Sequence, residues 1–599
     1  MKISKLTSLY LRLRAQLTQI GPSLGLAWES SKAVSIAIVF LTLLSAGLPL
    51  LVAYVGKVII DSVVAHSETS TLRWVLIEAI LVAIQALVQR GLFLLKSLLG
   101  ARLGLDVNLK ILDKALHLEL TDFENPEFYD QLTKARREAS SRPVTMVSDT
   151  LQFVQNALTL CGYVALLFSF SRWAVLGLVL AAFPATLMEM RFSNLAFRLR
   201  NWRSPDTRRL NYLEYVLAND GHAKEVKALA LGPMLLTRYR ELGEAFYRED
   251  RDLSVKRSAW AYTLSLLALA AFYGCYLAIA LLTARGSLSL GMMTLYVVAF
   301  RQGQLAFQSC LTAIGSMYEH NLYMSNLFEY LAIPTLIKPA LGTQGMARGN
   351  GGIVFENVGF RYPGREQWAL RQLSFTIPKG QSLALVGHNG AGKTTLIKLL
   401  TRLYDPTEGR ILFDGRDLKD WDPETLRSRI AVVFQDFNRY QFTLGENIGI
   451  GSVTHREEGD RIRRALDLGG GQELLALPQG LETPLGRWFN DGVELSGGQW
   501  QKVALSRAFM REDAEVLILD EPTAALDAEA EHAVFERFSQ LTKGRTSVLI
   551  SHRFPTVRMA DRILVLENGR LLEEGTHESL LQANGRYAQL FSLQAKGYL

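Results

Sequence analysis

Two stretches without a charged residue, Ala33 to Gly56 and Trp260 to Ala284, most constrain what this chain can fold into. Each is long enough to cross about 30 Å of hydrocarbon as a helix. In hydrocarbon every backbone polar group must be satisfied internally, so these segments are expected to be transmembrane helices. Four less clean segments follow the same logic: Trp74 to Leu99, Thr150 to Phe170, Ala174 to Met188, and Leu288 to about Met317. Together they predict six spans, all before about residue 318. The 49% apolar content, high for a soluble protein, is concentrated there.

Orientation follows from the basic residues. The stretch through Lys32 and the connections Arg102 to Arg142 and Arg191 to Arg257 are rich in Lys and Arg, whereas the alternate connections near Ser67, Ser171 and Arg285 are short and nearly neutral. The positive-inside rule then places the termini and both long connections in the cytoplasm. The net charge of +7 has this topological origin, so no nucleic-acid partner is expected. The basic N-terminus, without an acidic residue before Glu29, reads as an interfacial amphipathic helix or as an organellar transit peptide, and lacks a secretory cleavage pattern. Cys161, Cys275 and Cys310 all fall in predicted spans with no CxxC spacing, which suggests packing residues rather than disulfides or a metal cluster.

Between Ile333 and Gly352, Pro334, Pro339, Gly342, Gly345, Gly349 and Gly351 interrupt any apolar period. The expected organisation is a membrane domain over 1–335, a linker over 336–352 and a cytosolic domain over 353–599. In the latter, the apolar run Ser382 to Val386 leads into Gly387-His388-Asn389-Gly390-Ala391-Gly392-Lys393-Thr394, and helical spacing resumes from Thr394. Strand, glycine loop and helix in that order form a phosphate loop, in which backbone N–H groups and the helix N-terminus receive phosphate oxygens. Lys393 reaches the β- and γ-phosphates, Thr394 can ligate Mg²⁺, and Thr395 follows in the same turn.

Further on come Leu495-Ser496-Gly497-Gly498-Gln499, Leu517-Ile518-Leu519-Asp520-Glu521 and Ser551-His552. With the phosphate loop, this ordered set resembles the ATP-binding cassette (ABC) family. The resemblance implies a multidomain fold, a six-helix α-helical transmembrane domain of the exporter type followed by an α/β phosphate-loop ATPase domain. It also implies ATP and Mg²⁺ as ligands. Within it, Tyr362 of Phe360-Arg361-Tyr362-Pro363 matches the aromatic residue that stacks on adenine, with core packing as the alternative. Asp520 and Gln435 match the residues that support the metal with Thr394. Glu521 matches the general base, and His552 the residue that holds the γ-phosphate and the attacking water. Ser496, Gly497, Gly498 and Gln499 match the signature that binds ATP held by an opposing domain, and Asp527 the loop crossing that interface, although Ala525 stands where many relatives have serine. One cassette per chain implies dimerisation, with a second copy or with a different half-transporter.

The resemblance implies alternating access in a bacterial cytoplasmic membrane, with short transverse helices near Phe123 to Tyr129 and Asn219 to Val226 docking on the cassettes. The wording Leu485-Gly486-Arg487-Trp488-Phe489 and Glu494 to Lys502 is similar to that of bacterial exporters of lantibiotics and related peptides, which makes a peptide the expected cargo. A lipid or hydrophobic-drug exporter is the alternative within the class, and an ATP-gated channel or sensor the alternative outside it. At 100° per residue, Glu78, Gln85, Gln89 and Lys96 share one line of the second span, and Arg301, Gln308, Thr312 and Glu319 one line of the sixth, with Gln304 close by. Buried polar groups are costly in hydrocarbon, so Gln85, Gln89, Arg301, Gln304 and Gln308 are candidate cavity residues, with a solvated helix extension as the other reading.

Overall fold

A computed structural model describes residues 20–125, 132, 142–170, 202–334, 352–521, 545–551 and 557–595, with scattered positions between 172 and 199. The chain divides into two units. The first comprises Met1–Leu118 and Pro126–Pro334, and the second Glu119–Asn125 and Thr335–Leu599.

The first unit is helical. Helices run over Lys32–Val64, Glu68–Leu116, Arg142–Phe170, Gly232–Ala284 and Leu290–Leu331, with shorter ones at Ile20–Ser30, Ser204–Ala218 and Asp220–Ala228. The helices of 49 and 53 residues extend about 75 and 80 Å, far beyond a bilayer core. Their sequences explain this. Gly232–Ala284 opens with a charged half through Arg257 and becomes apolar only from Trp260. Among the described residues four helices are long and apolar enough to cross a membrane, those of Lys32–Val64, Glu68–Leu116, Arg142–Ser169 and Gly232–Ala284. The sixth expected span forms the helix Leu290–Leu331, whose polar run through Arg301, Gln302, Gln304 and Gln308 dilutes its hydropathy. The expected span Ala174 to Met188 lies largely outside the described residues.

Large apolar side chains face outward along these helices, with Phe40 64%, Phe93 69% and Leu87 73% exposed, the pattern of a lipid-facing surface. Inside, the helices pack through buried apolar side chains such as Ile38, Leu92, Leu103, Ile111 and Tyr330, with a few polar contacts among them. Gln155 Nε2 donates to Ser45 Oγ at 2.8 Å, and Gly291 N donates to Asp61 Oδ1 at 3.1 Å. Gly291 is obligatory there, since a Cβ would sit 2.5 Å from both Asp61 Oδ1 and the Lys57 carbonyl. In the polar extension, buried Arg203 pairs with Glu249 at 2.6 Å and Asp250 at 3.0 Å.

The second unit is α/β. A four-stranded antiparallel sheet has the order β2-β1-β4-β5, with β1 Ile353–Phe360, β2 Leu370–Ile377, β4 Glu408–Phe413 and β5 Arg416–Asp417. A six-stranded sheet has the order β10-β9-β3-β8-β7-β6, from β3 Ser382–Val386, β6 Ile430–Val433, β7 Val516–Asp520, β8 Thr546–Ile550, β9 Arg562–Glu567 and β10 Arg570–Gly575. β6, β7, β8, β3 and β9 are parallel, and β10 returns antiparallel to β9. β7 and β8 are buried throughout, and in β7 this shows as the apolar run Val516 to Leu519. The helix Lys393–Leu400 packs into the core with Phe355, Phe413 and Leu385. A separate cluster around Trp500, Leu444, Ile462 and Leu485 underlies the signature helix Gly497–Phe509. Arg429, stacked on Phe413 and Trp421, joins Asp414 to Glu515 and so ties the two sheets together.

Candidate functional site

The phosphate loop leaves the buried end of β3 and enters the helix Lys393–Leu400. Gly392, its N-cap, has φ +100°, and an added Cβ would lie 2.8 Å from the Ala369 carbonyl. Only glycine fits. The next residue, Lys393, is buried, and its ammonium donates to the carbonyls of Gly387 at 2.7 Å and His388 at 3.1 Å. Burial pushes this ammonium below its usual range, and the carboxylates of Glu521 and Asp520 push partly back.

β7 delivers the acids. Asp520, its last residue, is buried and accepts from Thr394 Oγ1 at 2.9 Å across 126 positions of sequence. Burial pushes its carboxyl up to about 6, against the Thr394 hydrogen bond that lowers it. Glu521 follows at φ 48°, a left-handed conformation costly for a non-glycine residue, held by its N–H bond to the Ile550 carbonyl at 3.0 Å. Gln435, two residues past β6, donates from Nε2 to Glu521 Oε2 at 2.8 Å. Thr394, Asp520 and Gln435 offer only hard oxygen donors, the set that suits a Mg²⁺ bound through few protein atoms and substrate phosphates.

These residues surround a cavity of about 440 Å³ lined by Tyr362, Trp368, Asn389, Lys393, Gln435 and Glu521, with Gly390, Gly392, Thr394 and Thr395 at its base. Tyr362 serves both uses weighed from sequence. It lines the cavity, and it also packs edge-on against Phe360 and Tyr404, with its hydroxyl 3.0 Å from Thr395 Oγ1. Trp368, beneath the Arg361 guanidinium at 4.3 Å, was not foreseen. Its signal was an aromatic residue in the same loop as Tyr362.

Ser496 and its neighbours do not line this cavity. Ser496 caps its helix reciprocally with Gln499, N–H to Oε1 at 3.0 Å and N–H to Oγ at 3.3 Å, and it is exposed together with Gly497. His552 and Asp527 lie outside the described residues. In the helical unit a second cavity, of about 620 Å³, is lined by Arg301, Gln304, Gln308 and Thr312 opposite Trp260, Phe272 and Tyr273. It brings together the stripe of Leu290–Leu331, and neither Gln85 nor Gln89 lines it.

Comparison with known proteins agrees with this geometry. Residues 370–524 match the family described as ABC transporter. The subtilin transport ATP-binding protein SpaT of Bacillus subtilis is 34% identical over 82% of this chain and 79% of its own. The nisin transport ATP-binding protein NisT of Lactococcus lactis subsp. lactis is 28% identical over 95% of both, and an ATP-dependent lipid A-core flippase of Thiobacillus denitrificans is 32% identical over 96% of this chain and 98% of its own. A bacterial Atm1-family ABC exporter solved with ATP bound shares the fold, with a TM-score of 0.79 over 94% of this chain and 98% of its own at 23% identity. The chain belongs to the ABC transporter family, as a multi-pass membrane exporter whose cytoplasmic ATPase is coupled to transport.

Proposed function

We propose that this protein exports a peptide across a bacterial cytoplasmic membrane as a homodimer that hydrolyses two ATP molecules shared between its cassettes. The observation that carries the ATPase assignment is the pair of hydrogen bonds Thr394–Asp520 and Gln435–Glu521, which gather three separate segments around Lys393. Lys393 exchanges its two loop carbonyls for phosphate oxygens. Glu521 accepts a hydrogen bond, and then the proton, from the attacking water, with the Gln435 amide holding the carboxylate in place. Thr394, Asp520 and Gln435 would hold Mg²⁺, which supplies neutralisation of charge on the transferred phosphoryl group. Asp520, raised by burial, is stabilised as an anion once a cation is beside it. His552 is assigned to the γ-phosphate and Asp527 to the contact between copies, both on the family pattern.

The homodimer reading rests on the exposed Ser496 end of the signature helix, capped but outside its own chain's cavity, and on a complete set at Lys393, Gln435, Ser496, Glu521 and His552. A different half-transporter as partner is the competing assembly. The domain limits 1–335, 336–352 and 353–599 are proposed with one refinement, that Glu119–Asn125 packs with the cassette. Peptide cargo rests on the similarity to proteins named for subtilin and nisin transport, and on a cavity whose polar stripe faces aromatic walls. The lipid A-core flippases keep a lipid as the second reading. Both readings are tested by ATP hydrolysis of the purified chain in nanodiscs, challenged with cationic peptides, lipids and hydrophobic drugs. Stimulation by peptides alone supports the first reading, stimulation by lipids alone the second. Turnover indifferent to every cargo returns the gated-channel alternative.

A further inference from the structure

The short helix Leu120–Glu124 packs with the cassette, and its last residue reaches toward the nucleotide cavity. Leu120 rests on the cassette core. Glu124 accepts from the Tyr404 hydroxyl at 2.5 Å through Oε2 and from the Lys398 ammonium at 3.1 Å through Oε1. Burial raises the Glu124 carboxyl, but these two donors bring it to a net position below its usual range. Both partners then meet Tyr362. The Tyr404 ring stands edge-on to it at 5.5 Å and 83°, and the Lys398 ammonium lies 5.4 Å from its centroid and 5.6 Å from that of Tyr404. The far side of Tyr362 is fixed by its hydroxyl on Thr395, a buried residue of the phosphate-loop helix.

We infer that Glu124 is a positioning residue for ATP, holding the Tyr362 ring in place through Tyr404 and Lys398. The inference rests on the assignment of Tyr362 to the adenine ring. Tyr404 is buried and has little room of its own, whereas Lys398 is a flexible cation whose place between two rings depends on a counter-charge. Removing the carboxylate leaves the Tyr404 hydroxyl without its acceptor and frees Lys398. The ring between them then loses its lateral support while Lys393, Thr394 and the acids stay where they are. The effect belongs to nucleotide affinity, and it makes the affinity of the cassette for ATP depend on whether the helix Leu120–Glu124 is seated.

The test is steady-state ATP hydrolysis by the full chain in nanodiscs for Glu124→Ala, Glu124→Gln, Tyr362→Ala and the Glu124→Ala/Tyr362→Ala double variant. Loss of base stacking in Tyr362→Ala raises the KM for ATP about tenfold. Glu124→Ala raises it about fivefold, with a smaller change in kcat. Glu124→Gln, which keeps one acceptor for Tyr404, falls between wild type and Glu124→Ala. The double variant has the KM of Tyr362→Ala, because the support has nothing left to position. If Tyr362→Ala raises KM but Glu124→Ala leaves it unchanged, or if the two effects multiply, Glu124 is only a docking contact and the inference is wrong. If Tyr362→Ala itself leaves KM unchanged, the adenine assignment has failed and the inference goes with it. Should Glu124→Ala fail to assemble, a wild-type KM in Glu124→Gln and in Tyr404→Phe overturns the inference equally.

Discussion

Polar side chains are used differently in the two units. In the cassette they hold one another. Lys393 is tied to its own loop, Asp520 to Thr394, Gln435 to Glu521, and Arg429 to Asp414 and Glu515, with Lys393 and Asp520 buried. In the helical unit, Arg301, Gln304 and Gln308 line a wide cavity and their side chains have no hydrogen-bonding partner among the described residues. The first arrangement is preorganised for a single ligand, since each donor and acceptor already stands near its working position. The second leaves its hydrogen-bonding capacity open against a large apolar wall, a way to accept cargo of variable shape.

The sharpest way to break this comparison is Glu521→Gln. If the cassette is preorganised around this carboxylate, the change lowers ATP turnover by about 10²- to 10⁴-fold. ATP binding survives, because Lys393 and the loop are untouched. Hydrolysis at the wild-type rate, measured on the same nanodisc preparation, would remove Glu521 from the mechanism and with it the claim that the acid pair is more than a polar loop.

The comparison also explains what could be read from sequence. The phosphate loop was legible because its function needs fixed types at fixed spacing, and Gly392 shows why: no side chain fits beside the Ala369 carbonyl. The Gln435–Glu521 contact joins residues 86 apart and has no local signal. Resemblance named each residue, Gln435 for the metal and Glu521 as the base, but not their contact. The clean spans Ala33 to Gly56 and Trp260 to Ala284 were found because charge is excluded from hydrocarbon, whereas the helix Leu290–Leu331 is diluted by the residues that give the cavity its polar stripe. Periodicity placed Gln85 and Gln89 on one side of their helix, but it contains nothing about which neighbour covers that side, and the cavity forms elsewhere. Glu124 was hidden for the same reason, since its partners lie more than 270 residues away.

The buried acid of the cassette also responds to pH. Asp520 has its carboxyl raised from an ordinary 3.8 to about 6 in the folded cassette. A group whose folded pKa is raised binds more protons in the native state, so nucleotide-free stability falls as pH climbs through the window from about 4 to 6 and the deficit is complete above it. Asp520→Asn removes the deficit. At pH 7.5 without nucleotide it is expected to be more stable than wild type by about 3 kcal/mol, an increase of about 6–12 °C in the cassette's unfolding midpoint. Below about pH 4 the difference vanishes. Adding ATP with Mg²⁺ stabilises wild type more than the variant, since the anion then has a cation beside it. An equal midpoint for the two proteins at pH 7.5 would mean that the Thr394 hydrogen bond already offsets burial.

The smallest expected effect tests the open half of the comparison. A single cavity side chain among many contributes about 1 kcal/mol to cargo binding. Arg301→Ala is therefore expected to raise the cargo concentration for half-maximal stimulation of ATP hydrolysis by about five- to tenfold, without abolishing stimulation. Thr312→Ala is expected to do less, because its hydroxyl is engaged with the Gln308 carbonyl at 3.1 Å. Gln85→Ala and Gln89→Ala, which lie away from the cavity, serve as the contrast and should leave that concentration unchanged. If instead Gln85→Ala or Gln89→Ala shifts it as much as Arg301→Ala, cargo contacts the second span as well, and the stripe read from helical periodicity describes the transport path better than the cavity does. If Arg301→Ala eliminates stimulation outright, one ion pair dominates recognition, and the helical unit is as narrowly preorganised as the cassette.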